Sequence, residues 1–271
     1  MREPLRFDGK IKSATVSRVA DRWFVSLSVD TDDLSHLPKA ENQGEAGVDL
    51  GVSTLATVST GERVEGPKPH RKLLGRVRRL ARSLSRKVKG SKNRDKAKRK
   101  LAKLHARVAN IRFDAVHKLT TSLTRRFHTI GIEGLNVKGM VKNRRLARSI
   151  HDIGFYEARR QFQYKADMRG GLVVVADQWF ASSKLCSCCG WKNKSLTLKD
   201  RVWACEDCGA VHDRDENAAV NLRDNALGKH NNNAASSTVS VCGGEGSGRR
   251  PRSAVKPAPA KQEVNAMTTC A

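Results

Sequence analysis

No stretch of this 271-residue chain approaches the roughly 18 consecutive apolar residues that a membrane-crossing helix needs. The opening Met1-Arg2-Glu3-Pro4 also lacks the apolar core of a signal peptide. A membrane or exported protein is therefore not expected, and a cytoplasmic one is. Acid is in short supply too: 27 Asp and Glu stand against 52 Lys and Arg, a formal charge of +25. Such a surplus calls for a polyanionic partner, with DNA or RNA the leading candidate. Nor are the seven cysteines spread as a disulfide framework would be. Five fall between Cys186 and Cys208, while Cys242 and Cys270 lie in a low-complexity tail. In a reducing compartment that clustering points to metal rather than bridges. The chain is long enough for one large domain or two modest ones, so size does not exclude an enzyme.

What is present divides into recognisable segments. Ile11 to Val19, a turn at Ala20-Asp21-Arg22, and the alternating Trp23, Val25, Leu27 and Val29 read as a β-hairpin. Two strands alone are marginal in water, so the hairpin is expected to belong to a larger sheet. A polar linker from Thr31 to Glu45 leads to a strand pair, residues 46–52 and 54–58, with Asp49 inside its first member. From Leu73 the apolar positions 73, 77, 80, 84 and 88 are helical in spacing. After Gly90-Ser91 they resume at 97, 101, 104, 108 and 111, which describes a helical hairpin. Residues 68–107 carry 18 Lys and Arg and a single acid, Asp95, so internal ion pairs cannot neutralise them and phosphate contact is expected. Residues 129–137 read as a short strand with Glu133 inside it, followed by a basic loop from Lys138 to Arg148. A helix over 155–168, Gly170-Gly171, a buried strand over 172–176, the cysteine cluster and a polar helix from about Asp213 complete the ordered part. Residues 229–271 are expected to be disordered.

Two sets of residues carry chemistry. Cys186-x2-Cys189 and Cys205-x2-Cys208, 15 residues apart, have the spacing of two knuckles closing on one tetrahedral zinc. Gly190 and Gly209 supply the permissive backbone after each knuckle, and Cys188 is left over. With four protein ligands such a zinc is structural. Asp49, Glu133 and Asp215 each sit in or beside an apolar segment, where an uncompensated carboxylate is costly. A divalent cation would compensate them, and hard oxygen ligands suit Mg2+ or Mn2+. Each acid alone reads more readily as a cap or salt-bridge partner.

The strings GVDLGVSTLATVSTG at 47–61, GIEGLNVKGM at 131–140, GFYEARRQFQYKADMRGG at 154–171, SSKLCSCCG at 182–190 and DRDENAAVNL at 213–222 resemble those of the TnpB (OrfB) family of bacterial insertion sequences, related to the type V CRISPR effectors. The resemblance implies an α/β chain with an RNase H-like (RuvC-like) mixed sheet, an inserted basic helical hairpin and a four-cysteine zinc ribbon. It implies the following layout: 1–45 as the last hairpin of a wedge-like β domain plus linker, 46–181 as nuclease core with the helical hairpin at 70–127, 182–212 as ribbon, 213–228 as the last core helix. It assigns Asp49, Glu133 and Asp215 as catalytic, magnesium-binding carboxylates, selecting Asp215 over Asp213 because the acid precedes the x-Asn-Ala-Ala run. The implied activity is two-metal hydrolysis of DNA, guided by an RNA from the same element and located at the bacterial nucleoid.

Against that pattern the chain begins at the last hairpin of the wedge, which leaves three expectations open: a truncated relic whose activity is impaired, a misplaced start codon, or a separately made C-terminal product. The alternative is a catalytically inactive DNA- or RNA-binding remnant that regulates its element. Tyrosine-type strand transfer is not expected: Tyr156 and Tyr164 are the only tyrosines, and no two of the eight histidines form a His-x-His.

Overall fold

A computed structural model of the chain describes residues 9–31, 44–197 and 199–229. Most of the 31–45 linker, the tail beyond Lys229, Cys242 and Cys270 lie outside the described residues.

Strands β1 (Lys10–Val19) and β2 (Arg22–Asp30) pair antiparallel with Val19 opposite Arg22, so two residues make the turn and Ala20 takes φ 58°. Both strands are exposed over nearly their whole length. Lys103 reaches the turn through an ion pair with Asp21 at 2.6 Å.

The central sheet has the order β5-β4-β3-β6-β7, built from β3 (Glu45–Asp49), β4 (Ala56–Val58), β5 (Arg63–Val64), β6 (Thr129–Glu133) and β7 (Leu172–Ala176). β3 is antiparallel to β4 and parallel to β6, and β7 is parallel to β6, giving a mixed α/β sheet. Val48, Val58, Ile130 and Ile132, all buried, form its core. The two-residue β5 has no counterpart in the sequence reading. β7, expected to be buried, is the edge strand, and its Leu172 is exposed. An unbroken apolar run marks β propensity, but it does not say whether a neighbour covers both faces.

Helix α1 (Pro69–Ser85) and the 35-residue α2 (Lys92–Arg126) form the helical hairpin. Ser91 caps α2 by accepting the Arg94 amide at 3.1 Å, and Gly90 turns the chain with φ 82°. Arg94 closes the turn by donating to the carbonyls of Leu84 and Lys87. α2 is roughly 50 Å long and has two roles along its length. Its basic first half pairs with α1, while Val116, Leu119 and Leu123 in its second half join the core.

The segment expected as a basic loop over 138–148 instead holds α3 (Val137–Lys142) and the start of α4 (Ala147–Ile153). The reason is periodic: Val137, Met140 and Val141 fall at i, i+3 and i+4 and pack against the core. The intervening lysines and Gly139 hide that stripe. Gly154, at φ 76°, separates α4 from α5 (Phe155–Asp167), which buries Phe155, Ala158 and Phe162. Buried Asp152 of α4 accepts the His70 and Arg71 amides at 2.9 and 3.0 Å, capping α1 from 81 residues away.

A two-stranded sheet of β8 (Val202–Ala204) and β9 (Val211–Asp213) follows, then α6 (Arg214–Ala226). α6 lies across β3 and β6 so closely that side chains are excluded beneath it. A Cβ on Gly47 would fall 1.8 Å from the Ala219 carbonyl oxygen, and one on Gly131 would fall 2.2 Å from that of Leu222. Among the described residues no helix is long and apolar enough to cross a membrane.

Candidate active site

The close seating of α6 places three acids. In the register, Val48 stands opposite Ile132, so Asp49 and Glu133 are the next residues along two adjacent parallel strands. Side chains alternate between faces, so Asp49 and Glu133 share the face of Gly47 and Gly131, the face that α6 covers. On the helix, Asp215 is one turn before Ala219, the residue that rests on Gly47. The three sequence-predicted acids therefore come to one end of the sheet from three elements.

Electrostatics follows from this placement. Burial first, then the charges of Glu133 and Asp215, push the Asp49 carboxyl up to about 8, against the pull of Arg214 and Arg201. Burial also raises Glu133, while Ser182 donates a hydrogen bond to its Oε1 and works the other way. Asp215 is held by two cations, Arg214 at 2.9 Å and Arg201 at 3.1 Å. Among the described residues the Asp49 carboxyl forms no hydrogen bond or ion pair of this kind.

The neighbouring Asp213 has a different role. It caps α6, accepting the amides of Asp215 at 3.1 Å and Glu216 at 3.0 Å, and it pairs with Arg63 at 2.9 Å. Burial opposes its ionisation, but the Glu216 amide and Arg63 outweigh this and hold it below the usual carboxylate range. Asp215 sits in the first turn beyond the cap, where the helix dipole favours an anion.

Hard carboxylate oxygens gathered under mutual repulsion suit a divalent cation. The set is open rather than closed. Among the described residues, groups of three or more potential ligand atoms within 4.8 Å of one another occur only around the cysteines. Arg201 and Arg214 occupy the Asp215 carboxylate instead.

The cysteines do close. Sγ atoms of Cys186, Cys189, Cys205 and Cys208 all lie within 4.8 Å of one another, with Cys186 to Cys208 and Cys189 to Cys205 both at 3.6 Å. A tetrahedral zinc with bonds near 2.3 Å needs sulfur separations of about 3.8 Å, so the cluster fits such an ion. Burial opposes ionisation of Cys186, but the amides of Cys189 and Cys188 together with His212 bring it down to about 6. His212, which no sequence pattern marks, has Nε2 3.0 Å from Cys186 Sγ, and its ring packs against Trp203. It also forms an alternative set with Cys186 and Cys188.

Other residues that the sequence reading misses hold the two centres together. Asn217 donates to the Leu185 carbonyl at 2.6 Å and accepts the Ser187 amide at 3.0 Å, on either side of Cys186. Fully buried Asn221 donates to the carbonyls of Ser182 and Leu185 at 2.7 and 2.8 Å. Both asparagines fall on one face of α6 at i and i+4, a spacing that is readable once the helix is placed. Nothing in the sequence marks Arg201 or Ser182.

Away from the acids, Arg79, Arg82, Arg86 and Lys87 line a basic recess of about 360 Å3 on α1. The hairpin thus exposes cations over a long surface.

Residues 24–144 match the OrfB_IS605 family, described as "Probable transposase", and residues 155–222 match the Cas12f1-like TNB domain. A Streptomyces pristinaespiralis protein named "Putative RNA-guided DNA endonuclease" is 43% identical over 94% of this chain and 62% of its own length. InsQ of Escherichia coli K12, named in the same words, is 35% identical over 79% of this chain and 56% of its own. A solved CRISPR-Cas12f ternary complex covers 74% of this chain and 42% of its own, at 21% identity and a TM-score of 0.51, a likeness of fold. The chain therefore spans less than two thirds of the length of these relatives. The two matches fall in order along the sheet, the helical hairpin, the knuckles and α6, so the likeness to these proteins runs through both the acids and the cysteines.

Proposed function

We propose that this chain is the catalytic portion of an RNA-guided DNA endonuclease of a mobile element, dependent on Mg2+ or Mn2+ for phosphodiester hydrolysis. The observation that carries the reading is the convergence of Asp49, Glu133 and Asp215 at one end of the sheet, with Asp49 pushed up to about 8 by burial and by the other two charges. Asp49, Glu133 and Asp215 would hold the divalent ions, which supply charge stabilisation to the attacking and leaving oxygens of the scissile phosphate. Cys186, Cys189, Cys205 and Cys208 would hold one structural zinc. Asp213 keeps the α6 N-terminus formed, and Ser182 orients Glu133. The α1–α2 hairpin grips backbone phosphates without reading bases, as suits a guide–target heteroduplex whose sequence is read by pairing. The partners in this reading are a guide RNA from the same element and its DNA target. The domain assignment puts 1–45 with a wedge-like β domain, 46–181 in the nuclease core, 182–212 in the ribbon and 213–228 in the last core helix.

A second reading, a regulator that binds nucleic acid without cutting, has one observation in its favour: Arg201 and Arg214 both engage Asp215. Plasmid cleavage with the element's own overlapping transcript and Mg2+ separates the two. The nuclease reading expects cutting that Asp49→Ala abolishes. Equal cutting by both proteins overturns it, and a wild type that binds the transcript and plasmid without cutting supports the regulator.

A further inference from the structure

A recess of about 220 Å3 opens beside Glu133, lined on its apolar side by Leu50, Leu135, Val137, Phe155 and Tyr156. The two aromatics differ in what they do. Phe155 is buried and, with Ala158 and Phe162, forms the face of α5 that packs on the core. Tyr156 is off that face and 71% exposed. Among the described residues its ring stacks on no other and its hydroxyl has no hydrogen-bond partner. Core packing therefore does not explain a tyrosine here. Lys138 and Arg159 complete the lining, so cations stand beside an apolar, aromatic wall within reach of the proposed catalytic acid.

We infer that this recess takes one unpaired nucleobase of the strand presented to the carboxylates, stacked on Tyr156, with Lys138 and Arg159 on the flanking phosphates. The apolar lining rejects a phosphate in the recess itself, whereas a base has two apolar faces to offer. A base inside a duplex has both faces covered, so the occupant is single-stranded. Aromatic stacking beside backbone-tracking cations is the general means of holding single strands without sequence preference. The recess thus sets the register of the strand over Asp49, Glu133 and Asp215. The inference rests on the nuclease reading for its purpose, but its test is read without cleavage.

The experiment uses the Asp49→Asn chain in magnesium-free buffer, so that no outcome depends on cutting. A single-stranded oligonucleotide carrying 5-iodouracil is bound and irradiated, and the adduct is mapped by peptide mass spectrometry. The expected adduct is on Tyr156. In parallel, Tyr156→Leu is expected to weaken binding of oligothymidylate roughly tenfold, to leave an abasic oligonucleotide of the same length unaffected, and Tyr156→Phe to restore the affinity. Adducts confined to Trp179, itself 82% exposed on the loop after β7, or to the α1–α2 hairpin overturn the inference. So does an equal loss of affinity for the abasic strand. Crosslinking at Tyr156 in a chain whose wild type never cuts DNA would leave the recess standing and remove the nuclease.

Discussion

Replacing Gly47 with alanine puts a methyl carbon 1.8 Å from the Ala219 carbonyl oxygen and 2.5 Å from the Arg223 amide nitrogen. Both contacts are backbone of α6, so no side chain can rotate aside, and the helix must lift from β3. Restoring ordinary contact requires a displacement of roughly 1.5 Å. That movement unpacks Ala218, Ala219 and Leu222, each no more than 2% exposed. Overpacking costs about 1–3 kcal/mol, and a clash between two rigid backbones belongs at the upper end. For a domain of this size, about 3 kcal/mol lowers Tm by roughly 6–12 °C. The same helix carries Asp215, which the proposed nuclease reading makes catalytic, and misplacement of a catalytic group by an ångström costs on the order of a hundredfold in rate. Cleavage should therefore fall by about that factor even at a temperature where the variant is fully folded. Thermal unfolding followed by circular dichroism, paired with Mg2+-dependent cleavage, measures both effects. Gly75→Ala is the control: it lies inside α1 with nothing within 4 Å of the added carbon, and it should stabilise by up to about 1 kcal/mol. A Gly47→Ala protein with wild-type Tm and wild-type cleavage would refute the seating of α6 on glycine.

Asp49 rises from 3.8 to about 8 on folding, so it stays protonated in the folded chain after the unfolded chain has released its proton. Each pH unit between about 4 and 8 then costs the ion-free fold up to about 1.4 kcal/mol, and stability falls as pH rises. Asp49→Asn removes that cost, and its advantage over wild type in urea unfolding should grow by roughly 2 kcal/mol between pH 5 and 8, about half the full value because the side chain keeps some solvent contact. The buffer must lack both magnesium and chelator, so that the cysteine cluster keeps its ion, and an advantage that does not change with pH contradicts the placement of the charges. Zinc analysis should find one ion per chain, and Cys205→Ser should lose it. Because among the described residues Leu196 and Trp203 are the apolar side chains buried beside the sulfurs, with Trp191 packed against them, the loss should unfold the ribbon and shift Trp203 fluorescence; zero or two ions in the wild type contradicts a single four-cysteine site.

The parts of the molecule that can be read from the sequence are those in which one short stretch carries the whole signal. The α1–α2 hairpin announces itself by apolar spacing on both sides of Gly90-Ser91, and the knuckles by their x2 spacings. The acids do not stand out in this way, since a carboxylate near a strand end is ordinary, and only the family strings single out Asp49, Glu133 and Asp215. Their convergence depends on the parallel pairing of β3 with β6, where Glu45 stands opposite Thr129, and on two glycines whose purpose is visible only once α6 lies over them. α3 escapes notice because Val137, Met140 and Val141 make a stripe of only one turn, too short for periodicity to register among lysines. Arg201 and His212 are set by the fold of the ribbon, so no local pattern identifies them.

The ribbon and the acids are not independent modules joined by a linker. From Cys186 the chain of contacts runs through the flanking Leu185 and Ser187 to Asn217, along α6 to Asn221, and from Asn221 to the Ser182 carbonyl. The Ser182 hydroxyl then donates to Glu133. On the other side, Asp213 ends β9 of the ribbon and caps the helix that begins with Arg214 and Asp215. Ribbon strand, cap and acid thus follow one another directly along the backbone, with no loop between them. Glu133 and Asp215 thus each touch a residue adjoining the cysteine cluster, Glu133 through Ser182 in addition to its place in the sheet and Asp215 through the Asp213 cap, while Asp49 sits on β3 two residues beyond the glycine that α6 covers. Distortion of the cluster should therefore reach Glu133 through Ser182 and Asp215 through the α6 N-terminus.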